Sequence, residues 1–244
     1  ENCGGSWKPV FDEQPIQNIG SIAIQQNNPQ VVWVGTGEGN PRNSLNIGAG
    51  IYKTMDGGKT FKCMGLKETR NIHRIIIDPN NPNTVYVGAI GNPYAQYKEK
   101  GLYKTTDGGE TWEQILKTND TSGVCDMVMD ATNPNKLFVA MWQHYRTPYS
   151  FMSGGKGSGF YMTIDGGKNF IKLGKDNGLP EGDFGRIGVT ICKTNPNRVY
   201  ALIEAKKNGL YKSDDGGYNW ELVNSDKDVV TNRPFYFQDI ICDP

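Results

Sequence analysis

"KTMDGGKTF", residues 53–61, ends in Gly58-Lys59-Thr60, as a phosphate-binding loop does. Such a loop needs a further glycine five places before its last one, and position 53 is a lysine. The stretch returns instead as "KTTDGGETW" (104–112), "MTIDGGKNF" (162–170) and "KSDDGGYNW" (212–220). Lys59 is replaced by Glu110, Lys168 and Tyr218 in these copies, and a position that accepts Glu or Tyr does not read phosphate. The aspartates Asp56, Asp107, Asp165 and Asp215 stand 51, 58 and 50 residues apart. A period of this size marks a propeller, a solenoid or an array. A degenerate fifth copy, "NCGGSW" (2–7), has Asn2 for the aspartate and Trp7 for the aromatic.

A second marker alternates with the first. Asn-Pro turns in "QQNNPQVVWVG" (25–35), "DPNNPNTVYVG" (78–88), "DATNPNKLFVA" (130–140) and "CKTNPNRVYAL" (192–202) each feed an apolar, β-prone run. One full period reads as four strands, about 71–78, 84–90, 101–106 and 111–116, with no amphipathic helix. Four strands per ~50 residues is the blade of a β-propeller, whereas solenoid coils of that length carry helices or shorter strand repeats. The expected fold is therefore all-β, a partial β-propeller of four-stranded antiparallel blades. Residues 1–12 form the last strand of a preceding blade, 16–66, 70–118, 122–174 and 184–225 form blades, and 235–244 open a following one. Two open edges are an aggregation hazard, so the remaining blades are expected from the same longer chain or from a partner chain. Glu1 in place of Met fits a processed product or an excerpt of a longer polypeptide.

In each repeated turn the aspartate accepts backbone N–H groups left unpaired by the bend, and the glycine pair permits positive φ. Phe61, Trp112, Phe170 and Trp220 are expected to bury ~150–250 Å² each between blades. The pattern Ser/Thr-x-Asp-x-Gly-x-Thr/Asn-Trp/Phe resembles the Asp-box, or bacterial neuraminidase repeat, of the sialidase and sortilin-like propellers. "VWVGTGEGNPRNS" (32–44), "GAGIYKTMDGGKTF" (48–61) and "MWQHYRTPYSFMSGGKGSG" (141–159) are similar to extracytoplasmic bacterial propellers related to the N-terminal region of sortilin and Vps10. The resemblance implies that the Asp-box is structural, that it lies away from the ligand face, and that the protein is secreted, periplasmic or on the cell surface. It also admits a glycoside hydrolase. The Phe-Arg-Ile-Pro motif that opens sialidases is absent, "HRII" (73–76) and "GRIG" (185–188) being the nearest stretches.

Composition narrows the partners. The 26 basic residues balance 26 acidic ones, which gives no footprint for nucleic acid or an anionic membrane. No apolar run approaches the ~18–20 residues of a membrane span. The two histidines and the spacing of Cys3, Cys63, Cys125, Cys192 and Cys242 give no metal cluster, and no cofactor is expected. The cysteines read as buried small apolar residues, with one disulfide as the alternative.

Function is expected on the loops opposite the repeated turns. "GEGNPRNSLNIGAG" (37–50) offers Glu38, Asn40 and Arg42, and "GNPYAQYKEKG" (91–101) offers tyrosines. "WQHYRTPYSFMSGGKGSG" (142–159) concentrates Trp142, His144, Tyr145 and Arg146. Aromatic residues with Arg and His suit a protein hot spot or a sugar-stacking platform; packing of the loop onto its own blade is the structural alternative. Arg74 and Arg186 fall near the starts of first strands, where they grip a ligand carboxylate or pair with acids such as Asp183 or Glu38. The expected role is binding or scaffolding of a protein, peptide or glycan. The alternative is a glycoside hydrolase, whose two carboxyls stand ~5–9.5 Å apart, with Glu38, Glu181, Asp183 and Glu204 as candidates.

Overall fold

The computed structural model describes residues 4–40, 42, 44–226 and 233–243. Cys3 and Asn2 lie outside the described residues. Four antiparallel sheets follow one another along the chain. The first holds β1 (Ile19–Ile24), β2 (Val32–Thr36), β3 (Ile51–Thr54) and β4 (Lys62–Cys63). The second holds β5 (Ile72–Ile77), β6 (Val85–Ala89), β7 (Gly101–Thr105) and β8 (Glu113–Leu116). The third holds β9 (Ser122–Met129), β10 (Leu137–Arg146), β11 (Phe151–Ser153), β12 (Gly159–Thr163) and β13 (Ile171–Leu173). The fourth holds β14 (Ile187–Cys192), β15 (Asn195–Ile203), β16 (Gly209–Ser213) and β17 (Glu221–Asn224). The first strands β1, β5, β9 and β14 neighbour one another in that order. The chain is a partial β-propeller.

The blades stack because their middle strands are apolar on both faces. Side chains alternate across a strand, so Val85 and Val87 of β6 join Trp33, Ile51 and Ile72 in a core between the first and second blades. Tyr86 of the same strand faces the other way, into a core with Val124, Leu137, Val139 and Met141 of the third. On β10 the intervening Phe138, Ala140 and Trp142 meet Ile187, Val199 and Ala201 of the fourth blade. Each buried side chain of this size contributes roughly 1.5–3 kcal/mol. At the open face of the first blade, by contrast, Ile22 and Ile24 stay 60% and 49% exposed.

The repeated turn forms one bond pattern. Asp56 Oδ1 accepts from Thr54 Oγ1 at 2.7 Å, from Lys59 N at 3.0 Å and from Thr60 N at 2.9 Å, while Gly58 N donates to Thr54 Oγ1. These bonds hold the Asp56, Asp107 and Asp165 carboxyls well below the usual carboxylate range. Every Asn-Pro turn lies against its own blade's aspartate turn. Gly57, Gly108, Gly166 and Gly216 donate to the carbonyls of Gln30, Asn83, Asn135 and Asn197 at 2.9, 2.9, 2.8 and 2.8 Å. The second glycine abuts the preceding blade. A Cβ on Gly109 would sit 2.6 Å from the Trp33 ring and one on Gly217 2.3 Å from Phe138. Trp112 and Trp220 add edge contacts to the same two rings, and Phe61 meets Phe11 of the N-terminal segment. Phe170 packs half-buried against the core of the second and third blades.

Two features differ from the sequence reading, and the cysteines take its stated alternative of one disulfide. The loop 142–159 continues as a hairpin, because β10 runs on to Arg146 and pairs with β11 (His144 with Ser153, Arg146 with Phe151). Neither flanking segment pairs as a strand among the described residues; the C-terminal one lies against the fourth blade, where Gln238 Nε2 donates to Leu202 O of β15 at 2.9 Å and Cys242 N to Thr190 Oγ1 of β14 at 3.3 Å. Cys192 and Cys242 are joined in a disulfide, with Cα atoms 5.3 Å apart, and tie that segment down. Cys125 is a buried free thiol and Cys63 a half-buried one.

Candidate functional site

All four blades converge on one buried guanidinium. Arg186, just before β14, is 1% exposed. Its Nη2 donates to Asn40 Oδ1 of the first blade at 2.9 Å and lies 3.3 Å from His73 Nε2 of the second. Its Nη1 donates to Phe235 O at 2.8 Å. The guanidinium stands 5.5 Å from the Trp142 ring of the third blade. Its own N–H donates at 2.8 Å to Glu204 Oε2, which also takes the Ser153 hydroxyl at 2.6 Å. No carboxylate pairs with the guanidinium among the described residues. Burial pulls its pKa below the ordinary value, and carbonyls, an amide and a ring supply the compensation.

The donor-only character of Arg186 settles the state of His73. Nε2 must accept, so the ring is neutral and Nδ1 carries the proton, which has no acceptor. Burial drives the His73 pKa well down, helped by Arg74 and Arg186. A bulge between Ile72 and Arg74 turns these neighbours to different partners. Arg74 instead binds Asp126 and Asp239, each at 2.7 Å. Asp126 also accepts Val189 N at 2.9 Å and so links three first strands. Burial pushes the Asp126 carboxyl up, against the pull of Arg74.

The ligand-grip reading of the two arginines is therefore corrected: Arg74 already holds two carboxylates, neither of them Asp183 or Glu38, and Arg186 is enclosed. The aromatic platform is corrected as well. Trp142 is fully buried because β10 continues its alternation through it, and its Nε1 donates to Ser153. His144 stacks on Trp142 at 4.3 Å and is pushed down to about 3 by burial and by Lys100. Tyr145 and Arg146 remain half-buried, Arg146 lying 5.3 Å from the Phe151 ring. Glu38 pairs with Arg42 and accepts Asn46 N. Thus Asn40, Trp142, His144 and Arg186 come together with Glu204, while Arg42 and Glu38 form a separate rim. Sequence reasoning missed His73, Lys100 and Asp126. The last had a signal, a lone carboxylate inside the apolar run "GVCDMVM" (123–129).

Two clefts open beside equivalent inter-blade connections. One, of about 450 Å³, adjoins the short 3-10 turn Lys67–Thr69. The other, of about 330 Å³, adjoins Lys175–Asn177 and carries Glu181 and Asp183 with Asp176 and three lysines. Glu181 is exposed and pairs with Lys175 at 3.2 Å. Among the described residues no group of three or more His, Cys, Asp or Glu is placed to hold a metal, and no helix is long and apolar enough to cross a membrane.

Residues 49–177 match the family model described as "Sortilin-Vps10: Sortilin, neurotensin receptor 3". The xyloglucanase Xgh74A of Acetivibrio thermocellus is 24% identical over 234 residues, which cover 89% of this chain and 22% of that protein. The chain thus spans about a fifth of that relative's length. Among solved structures, an ancestral GH74 enzyme superposes with a TM-score of 0.63 at 18% identity, covering 91% of this chain and 26% of the other. YCF48 bound to D1 peptide superposes with a TM-score of 0.53 at 19% identity, covering 94% and 61%.

Proposed function

The chain belongs to the Sortilin-Vps10 family, and from that premise we propose that it is an extracytoplasmic Asp-box propeller whose loop face handles glycan chains as part of a glycoside-hydrolase site. The observation that carries this reading is the alignment with a xyloglucanase over 89% of the chain. A match of that extent runs through the blades and their loops, not through the repeated turns alone.

A glycosidase pairs an acid of raised pKa with an ionised carboxylate. Of the four candidates, Glu38 and Glu204 are engaged by bonds within the chain; Glu181, itself paired with Lys175 at 3.2 Å, and Asp183 are the two that border the cleft beside Lys175–Asn177. The exposure of Glu181 and Asp183 and the three lysines around them suit substrate binding better than proton donation. We assign this chain the binding half of the site, with the acid supplied by further blades stacked on the exposed Ile22 and Ile24 face. The Cys192–Cys242 disulfide supports an oxidising, extracytoplasmic compartment.

Calorimetry with xyloglucan oligosaccharides, paired with a reducing-end assay, tests the reading. The expected result is binding by this chain and bond cleavage only when the remaining blades are present. A chain that binds no oligosaccharide but holds an extended peptide would transfer the function to the second reading, peptide capture, which the family match and the peptide-bound YCF48 neighbour favour.

A further inference from the structure

The cleft between the first two blades has a lining that the hub around Arg186 does not share. Ile47 of the first blade's long loop forms one wall. Glu68 and Arg70 of the inter-blade connection form the base, and Asn92, Tyr97 and Glu99 of the second blade form the other wall. At about 450 Å³ it falls within the ~300–1,000 Å³ of small-ligand sites.

Its walls are fixed. Arg70 has φ 67 and ψ −67, and Asn71 N donates across it to Thr69 O at 2.8 Å, which closes a three-residue turn of the strained kind. Gly48 N donates to Arg70 O at 2.7 Å. The buried Asn71 side chain donates to Glu38 O at 2.7 Å and to Asn46 O at 3.1 Å, so the first blade's loop is tied to the same turn. Across the cleft the Tyr97 hydroxyl accepts Asn92 N at 2.7 Å, which leaves its proton to give. Behind Tyr97 lies Lys100, fully buried, its ammonium 5.4 Å from the ring centroid and without a hydrogen-bond partner.

The chemistry of the lining selects a ligand. Arg70 Nη2 pairs with Glu68 at 3.4 Å while both side chains stay exposed, so their remaining N–H groups and oxygens join the Glu99 carboxylate, the Asn92 amide and the Tyr97 phenol as donors and acceptors for hydroxyls. The cations Arg70 and Lys100 offset Glu68 and Glu99, so the cleft has no net preference for charge. An anion meets two carboxylates, a cation meets Arg70 with Lys100 behind, and an apolar molecule strands every polar group on the walls. A pyranose ring satisfies all of them, its hydroxyls paired to alternating donors and acceptors and its C–H face against Ile47 and Tyr97. We propose that this cleft is a subsite for one sugar unit of a neutral oligosaccharide; the assignment rests on the glycan reading above.

The test is calorimetric titration of this chain with a neutral xyloglucan heptasaccharide, alongside the variants Arg70→Gly, Tyr97→Phe and Glu99→Gln and thermal unfolding of each. Loss of one such hydrogen bond is expected to weaken binding about 5–10-fold. Arg70→Gly separates the roles. Glycine relieves the backbone strain, so Tm rises or holds while affinity falls, and a merely structural residue does not move the two in opposite directions. If the parent chain binds the sugar and all three variants bind it equally, the subsite is overturned and the glycan reading stands. If the parent chain binds no neutral oligosaccharide, both fall.

Discussion

At one end of the blades, Asp56, Asp107, Asp165 and Asp215 each accept from the serine or threonine hydroxyl two residues earlier and from the backbone N–H four residues later. At the other end, Glu204 holds the Arg186 backbone, Tyr97 holds Asn92 and Glu38 holds Asn46, each a contact of its own kind. The first arrangement solves a problem every blade shares, a tight bend that must also fit the blade before it. The second is built once from pieces of all four blades, so a change there has no equivalent elsewhere to compare with. Structure is concentrated at the repeated end and individuality at the other.

Acidification probes the individual end most severely. His73 and His144 are held neutral by burial, so their folded pKa values lie below the ordinary 6.5. The unfolded chain binds more protons than the native one below that value, and stability is lost as pH falls from 6.5 toward about 3 for His144. The slope is up to ~1.4 kcal/mol per pH unit for each histidine. Urea unfolding between pH 7 and 4 should show it, whereas the aspartate turns, with pKa values shifted down, hold their charge across that window. Arg186→Ala leaves a cavity and buried neutral acceptors unpaired, and the expected loss is about 3–5 kcal/mol. A loss under ~1 kcal/mol by chemical denaturation would mean that the convergence of blades on Arg186 is incidental.

At the repeated end, Gly217→Ala forces a Cβ into the Phe138 ring at φ 97. A cost of about 2–3 kcal/mol is expected, with a smaller one for Gly58→Ala, where the nearest neighbour is 3.7 Å away. Equal costs would break the idea that the second glycine locks one blade to the next. Smallest, and opposite in sign, is Lys100→Met. Burial lowers the amine to about 8, and replacing an unpaired buried cation by an apolar side chain should stabilise by roughly 1–3 kcal/mol, read as a rise in Tm at pH 7.

The repeated end was legible because four copies cancel chance. The turn, the Asn-Pro marker and the four-strand period all recur, and the strands of the second blade fall within two residues of their expected limits. The hub was not legible, because Asn40, His73, Trp142 and Arg186 are brought together by blade stacking and not by spacing along the chain. One error was avoidable. Phe138, Ala140 and Trp142 follow a two-residue alternation that continues β10 beyond its expected end, which marks Trp142 as core.

Amide hydrogen exchange with and without a neutral xyloglucan oligosaccharide tests the division of labour between the two ends most directly. Added protection is expected in the loops 37–50, 67–71, 91–101 and 174–184, and no change in 53–61, 104–112, 162–170 and 212–220. Protection confined to the aspartate turns, or none at saturating sugar, would contradict it.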